Sequence, residues 1–369
     1  MESELQYWVA FNRIPGLGPV RINLLMRYFG SLAEAWNASS GALRAAGLDN
    51  RTVHSILESR PSISPEEEIN KLERHHIQAL TINDPAYPRP LKEIDHPPPV
   101  LYVRGQLLPR DEWAVTVVGT RGATPYGRQV AHDFAWGLAK NGITIISGLA
   151  RGIDAVAHQA ALEAGGRTVA VQACGLDMVY PPENKALAQR ILGQGALLSE
   201  YPLGTTPRAD YFPRRNRIMS GLALGTLVVE AGERSGALIT ARLALDQNRE
   251  VFAAPGNIYQ ERSQGTNRLI REGLAKLVLS IEDILAELNL TQVTQQLSMT
   301  ELLPTDPVEE AVLKSLAQGP CHIDEVRRGS GLPVNQVASA LALLELRGLV
   351  HQVGPMTFAR AREAAGHYA

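Results

Sequence analysis

The stretch AVTVVGTRGATPYG, residues 114–127, decides how the chain is to be read. Its first five residues are apolar or β-branched without alternation, the pattern of a strand covered on both faces. Glycines and Arg121 follow, and a helical pattern opens near Pro125, a residue suited to a first helical turn. A strand leading through a glycine-rich turn into a helix is the unit of a parallel α/β sheet. The unit recurs: ITIISG ends at Gly148, RTVAVQACG at Gly175, GTLVVEAG at Gly232 and REVFAAPG at Gly256. In an open sheet of this kind the loops after the strands gather along one edge, where ligands bind. Residues 119–122, 147–152 and 230–236 are therefore predicted to face a common crevice.

Two of these loops hold an arginine among glycines. Arg121 follows Gly119, and Arg151 lies between Gly148 and Gly152. Glycine allows close backbone approach, free amides and a helix dipole favour an anion, and the guanidinium adds charge. A mononucleotide phosphate and a nucleic-acid phosphate would be held alike. Neither GxxxxGK[ST] nor a true GxGxxG follows these strands, which speaks against an ATPase or a dinucleotide enzyme, and no cofactor is expected. No carboxylate cluster suggests two bound metals, so no metal is expected either. Asp154 and His158, four apart on a helix, can be drawn as an acid/base or metal pair, but no third ligand or nucleophile accompanies them. Asp154 reads better as a loop anchor and His158 as a packed or hydrogen-bonded side chain. Ser147 and Ser235 have no histidine in a recognisable elbow.

Further along, RADYFPRRNRIMSG, residues 208–221, sets four arginines and two aromatics side by side. Arginine forks match phosphate oxygens, and Tyr211 and Phe212 offer faces on which a base can stack regardless of sequence. Taken alone, the run reads first as an arginine-rich surface loop. The glycine-rich strand ends on either side of it favour the nucleic-acid reading.

With 369 residues, two or three domains are expected, and an apolar fraction of 45% suffices for their cores. A net charge of −2 means that any nucleic-acid site must be a local patch, although arginine supplies 30 of the 36 basic residues. Cys174 and Cys321 lie far apart and outside metal-ligand spacing, which fits a reducing compartment. The start MESELQYWVAFNRI is acidic where a signal peptide needs a basic end, and no run of about 18 apolar residues occurs. A cytoplasmic protein with no membrane role is expected.

Residues 1–80 read as short helices. Within them NRIPGLGPVRINLLMRYFG resembles a helix-hairpin-helix whose turn would use Gly16 and Gly18, either to approach DNA or only to pack. The stretch DPAYPRPLKEIDHPPPVLYVRG is rich in proline and reads as a connecting arm into a domain spanning 81–290. Residues 291–306 read as a linker. From 307 to 369, three helical segments and two short strands resemble a winged helix-turn-helix. Its third helix, within LPVNQVASALALLELRG, holds no basic residue before Arg347, and residues 307–360 balance five basic against five acidic. A helix docked in the major groove normally brings basic and amide side chains, so this module is expected to bind protein, or DNA only weakly.

DPAYPRPL with PPPVLYVRG, VVGTRGATPYG, ISGLARGIDAVAH, GLDMVYPPEN, FPRRNRIMSGLALGTLVVEA, RSGALITARLAL, VFAAPGN and GTNRLIREG together, in this order over residues 83–285, closely resemble the DNA-processing protein A (DprA, or Smf) family. The resemblance implies an extended Rossmann-like parallel-sheet core, with an N-terminal helical domain of SAM-like or helix-hairpin-helix type and a C-terminal winged helix. It implies a non-enzymatic recombination mediator that binds and shields incoming single-stranded DNA during natural transformation, loads RecA and forms a homodimer. Carried over motif by motif, Gly119, Arg121, Gly148, Arg151, Gly152, Phe212, Arg214, Asn216 and Arg217 would line the DNA pocket, with Arg215 left unassigned. The competing class is a Rossmann-like hydrolase of nucleoside monophosphates, for which Glu230 stands at a suitable strand end. Its usual PGGxGTxxE run is replaced here by EAGERSGALIT.

Overall fold

A computed structural model of the chain describes residues 2–289, 307–316, 319–346, 350–354 and 356–360. The chain divides into two compact units, with the division at residues 290/291. The stretch 291–306, read above as a linker, lies outside the described residues, as do Arg347 and residues 361–369.

In the first unit the five apolar runs become β3 (Ala114–Val118), β4 (Thr144–Ser147), β5 (Thr168–Val171), β7 (Gly225–Val228) and β8 (Glu250–Ala253). Four further strands join them: β1 (Ile77–Thr81), β2 (Val100–Gly105), β6 (Ala196–Ser199) and β9 (Lys276–Leu277). The sheet runs β1-β2-β6-β5-β4-β3-β7-β8-β9, antiparallel from β1 to β6 and parallel from β6 to β9. Every residue of β3 to β7 is buried, as their unbroken apolar character requires. Successive residues still face opposite layers. Val169 and Val171 enter one core while Ala170 enters the other, and Ala196 and Leu198 oppose Leu197 in the same way. The parallel strands are linked by α8 (Pro125–Lys140), α9 (Ile153–Glu163), α10 (Lys185–Leu192), α11 (Tyr211–Leu222), α12 (Gly236–Asp246) and α13 (Gln264–Arg271), while the short α7 (Arg89–Lys92) precedes β2 and α14 (Ile281–Glu287) follows β9. β3 is flanked by β4 on one side and by β7 on the other, so the strand order reverses there. That reversal opens a crevice beyond the carboxyl ends of β3 and β7.

The proline-rich stretch is only partly a connecting arm. Its last six residues form β2, a strand between β1 and β6 whose first four residues are buried. The reason is local: the prolines stop at Pro99, and VLYVRG is a β-branched and aromatic run with every amide available. Upstream lie six helices, α1 (Glu2–Asn12), α2 (Pro19–Phe29), α3 (Leu32–Asn37), α4 (Ser40–Ala45), α5 (Asn50–Ser59) and α6 (Pro65–Arg74). Phe11 meets Trp36 edge-on at 4.9 Å in a core continuous with Tyr102, Ala170 and Leu197 of the sheet. Asn12 Nδ2 donates to the hydroxyl of the fully buried Tyr102 at 3.2 Å, tying α1 to β2. The helical segment therefore shares a core with the sheet, and the boundary drawn at residue 80 falls inside β1.

The second unit comprises α15 (Pro307–Ser315), β10 (Cys321–His322), α16 (Ile323–Ser330), α17 (Val334–Leu346), β11 (Val350–Gly354) and β12 (Thr357–Arg360), with the strands ordered β10-β12-β11. This is a winged helix. Val312, Val326, Val337, Leu341 and Phe358 build its core, and Gly331 closes α16 in a left-handed conformation. The outer face of α17 shows Asn335, Gln336, Ser339, Leu343 and Glu345 to solvent.

Candidate nucleic-acid interface

A cleft of about 680 Å³ opens at the crevice between β3 and β7. Gly119 and Arg121 reach it from the loop after β3, Ala150 from the loop after β4, Asp154 from the first turn of α9, Phe212 and Asn216 from α11, and Arg234 and Ser235 from the loop after β7. The three glycine-rich loops thus meet in one place, as the strand pattern predicts. Their backbones are knitted together: Thr120 N donates to Glu230 O at 2.7 Å, and Ile153 N donates to Thr120 O at 3.3 Å. Gly152 sits at φ +75°, where a side chain would also collide with the carbonyl oxygens of Thr120 and Arg121. Glycine is what lets the β4 loop lie against the β3 loop.

Arg121 projects over the Phe212 ring, its guanidinium carbon 5.3 Å from the centroid. Among the described residues it has no carboxylate within 4.0 Å, and the same holds for Arg234 and Arg262, which also line the cleft. Against these stand Glu233 and Glu261 on the rim. Ser235 caps α12 by accepting from Ala237 N at 3.3 Å, so the positive end of that helix opens at the cleft. Arg234 was foreshadowed by its loop, whereas nothing in the sequence marked Arg262, which arrives from beyond β8.

Arg215 forms the floor. Only 4% exposed, it donates to Gly148 O at 2.9 Å, to Val171 O, and to Asn216 Oδ1 at 3.3 Å. It therefore locks α11 onto the ends of β4 and β5, and burial lowers its pKa to about 10, which leaves it cationic at neutral pH. Asp154 accepts from Gly148 N at 3.1 Å and Ala150 N at 3.3 Å, the anchoring role read from the sequence. Burial pushes its carboxyl upward, opposed by Arg215 and the two amides. His158 is fully buried, with Nδ1 2.6 Å from Thr168 Oγ1, which itself donates to Ile145 O at 2.7 Å. Burial, helped by Arg215, lowers its pKa to about 3, so it is neutral and packed.

Other residues carried over from the motifs lie elsewhere. Gly148 and Arg151 line a side hollow of about 90 Å³ behind Arg121 and Phe212, with Arg151 paired to Glu183. Arg214 faces a separate cleft. Arg217 pairs with Glu200, both side chains less than a fifth exposed, and lines neither. Glu230 is buried, and both its carboxylate oxygens are taken by Thr124, through the amide at 2.9 Å and the hydroxyl at 2.7 Å. It serves the start of α8 and is absent from the lining of the switch-point cleft, where the hydrolase reading would need it.

Fold and site together define a Rossmann-like α/β protein with a ligand crevice at its switch point and an appended winged helix. The profile of the family described as DNA recombination-mediator protein A matches residues 78–289, and that of the DprA winged helix domain matches residues 295–354. The chain belongs to the DNA recombination-mediator protein A (DprA, or Smf) family. It is 35% identical to Protein Smf of Synechocystis sp., the match covering 97% of this chain and 99% of that protein. The crystal structure of DNA processing protein A from Streptococcus pneumoniae superposes with a TM-score of 0.67 at 37% identity, over 76% of this chain and 97% of that one. DNA processing protein A from Helicobacter pylori, whose structure describes a single-stranded DNA binding mode, superposes at 0.52 and 33% identity, over 58% and 96%.

Proposed function

We propose that this protein is a single-stranded DNA-binding recombination mediator whose switch-point cleft holds the phosphate backbone. The observation that carries the reading is Arg121, a guanidinium without a carboxylate partner among the described residues, laid over Phe212 among glycine-rich turns. The fork binds phosphate and the aromatic face takes an unpaired base, so sequence is not read and a duplex is disfavoured. Support also comes from the Helicobacter pylori relative, described for its single-stranded DNA binding. The cleft carries out no chemistry in this reading: His158 is buried, neutral and absent from the lining, and the carboxylate of Asp154 is held by backbone amides. Handing the strand to RecA in the cytoplasm is the role that fits the family.

Homodimerisation belongs to the same reading. Leu277 on the edge strand β9 and its neighbours Leu274 and Leu279 are exposed, Leu279 by 74%, and Ile258 and Tyr259 are exposed nearby in the chain. An uncovered apolar edge of this kind suits a second copy of the chain. Electrophoretic titration with single-stranded and duplex DNA of equal length tests the function. Preference for the single strand is expected, and equal affinity at moderate salt would refute it.

A further inference from the structure

The structure holds a second cleft, of about 760 Å³, between the α1–α2 hairpin and the start of α11. One wall is the turn around Gly16 and Gly18, and the other is Tyr201, Tyr211 and Arg214. Tyr201 and Tyr211 stack with centroids 4.3 Å apart and planes 20° from parallel, and the Arg208 guanidinium lies 5.1 Å over the Tyr211 ring. Arg214 is 66% exposed on its side chain, and its one ion pair is a long one, 3.9 Å to the exposed Asp210, which Arg208 holds more closely at 3.2 Å. The other arginines of the lining are engaged: Arg13 with Glu68, and Arg21 with Asp49 and Gly16 O. Glu200 is the only carboxylate in the lining, and it is paired with Arg217. An exposed, only loosely paired cation beside a stacked aromatic platform is the equipment for gripping a nucleic-acid strand and stacking its bases.

The two clefts adjoin along the chain. Tyr211 lines the second and Phe212 the first, so consecutive residues at the start of α11 serve one each. We infer that the second cleft is a continuation subsite for the same single strand, which passes around the N-terminal turn of α11 and stacks at Tyr201–Tyr211 with a phosphate on Arg214. The inference rests on the single-stranded DNA reading of the first cleft. It also gives the N-terminal hairpin a function, as the far wall that confines the strand.

The experiment is a length series of thymidylate oligonucleotides, from about four nucleotides to about sixteen, the span of known single-strand site sizes. Each is titrated by fluorescence anisotropy against the full chain and its Arg214→Ala, Tyr211→Ala and Tyr201→Leu variants. Arg214→Ala alters an exposed side chain and keeps the test valid if a tyrosine variant is unstable. We expect wild-type affinity for the shortest oligonucleotides and a loss of about tenfold for the longest. Curves equal to wild type at every length overturn the inference while leaving the first cleft standing, and an equal loss at every length overturns it too, because the two clefts would then be one site. No binding by the wild-type chain at any length sinks the single-strand reading together with this extension of it.

Discussion

Arg121 and Arg217 belong to the same two motif runs that suggested a nucleic-acid grip, yet their surroundings give them different work. Arg121 stands over Phe212 in the open cleft, while Arg217 is closed against Glu200 beneath α11. Removing Arg217 leaves a largely buried carboxylate without its cation, a change that costs on the order of 3 kcal/mol. Arg217→Ala is accordingly expected to lower the thermal melting point by several degrees, with the folded fraction still binding DNA; an unchanged melting point alongside lost binding would return Arg217 to the DNA pocket. His158 makes a pH prediction. Its folded pKa of about 3 lies below the ordinary 6.5, so the unfolded chain takes up a proton first as pH falls. The stability tied to neutral His158 is complete above about pH 6.5 and is lost progressively toward pH 3, with a slope approaching 1.4 kcal/mol per pH unit. Urea midpoints at pH 7 and pH 5 should differ for the wild type and differ less for His158→Gln; parallel shifts in both proteins would show that other groups dominate.

Among the elements, the β3 and β4 loops depend on one another through Gly152. A methyl group there meets the Thr120 and Arg121 carbonyls and must also adopt φ +75°. Gly152→Ala should therefore displace the Arg121 loop and weaken single-strand binding, a coupling that hydrogen exchange at Thr120–Arg121 would report. Wild-type exchange and affinity in that variant would show that the loop contact is dispensable. The strands that the sequence revealed were those with unbroken apolar runs ending in glycine, because burial on both faces leaves that signature. β6 escaped notice because ALLS is short and follows a helix without a glycine-rich exit. β2 was hidden by the prolines before it. The loops forming the crevice were legible for the same reason as their strands. Pairing was not: that Glu200 meets Arg217, or Glu230 meets Thr124, depends on contacts between segments distant in sequence, which composition and spacing do not encode.

For the molecule as a whole, the switch-point cleft is built entirely from residues of the first unit, and the outer face of α17 offers no base. Ending the chain at residue 290 should leave single-strand affinity within about twofold of the full protein, well under one kcal/mol; a tenfold loss would assign the winged helix a share of the strand. Leu277→Glu should shift a dimer to monomer in light scattering, since a charge placed on an apolar edge opposes pairing, and a monomeric wild type at micromolar concentration would end the dimer proposal. Binding should also weaken with salt, by a logarithmic slope of about −0.7 per phosphate neutralised on a single strand. The decisive comparison is wild type against Arg121→Ala, titrated with one labelled thymidylate oligonucleotide while thermal unfolding is followed on the same preparations. Loss of one charge-assisted phosphate contact should reduce affinity roughly ten- to a hundredfold at an unchanged melting temperature. Equal affinities, or a loss that only tracks unfolding, would contradict the placement of DNA in the switch-point cleft.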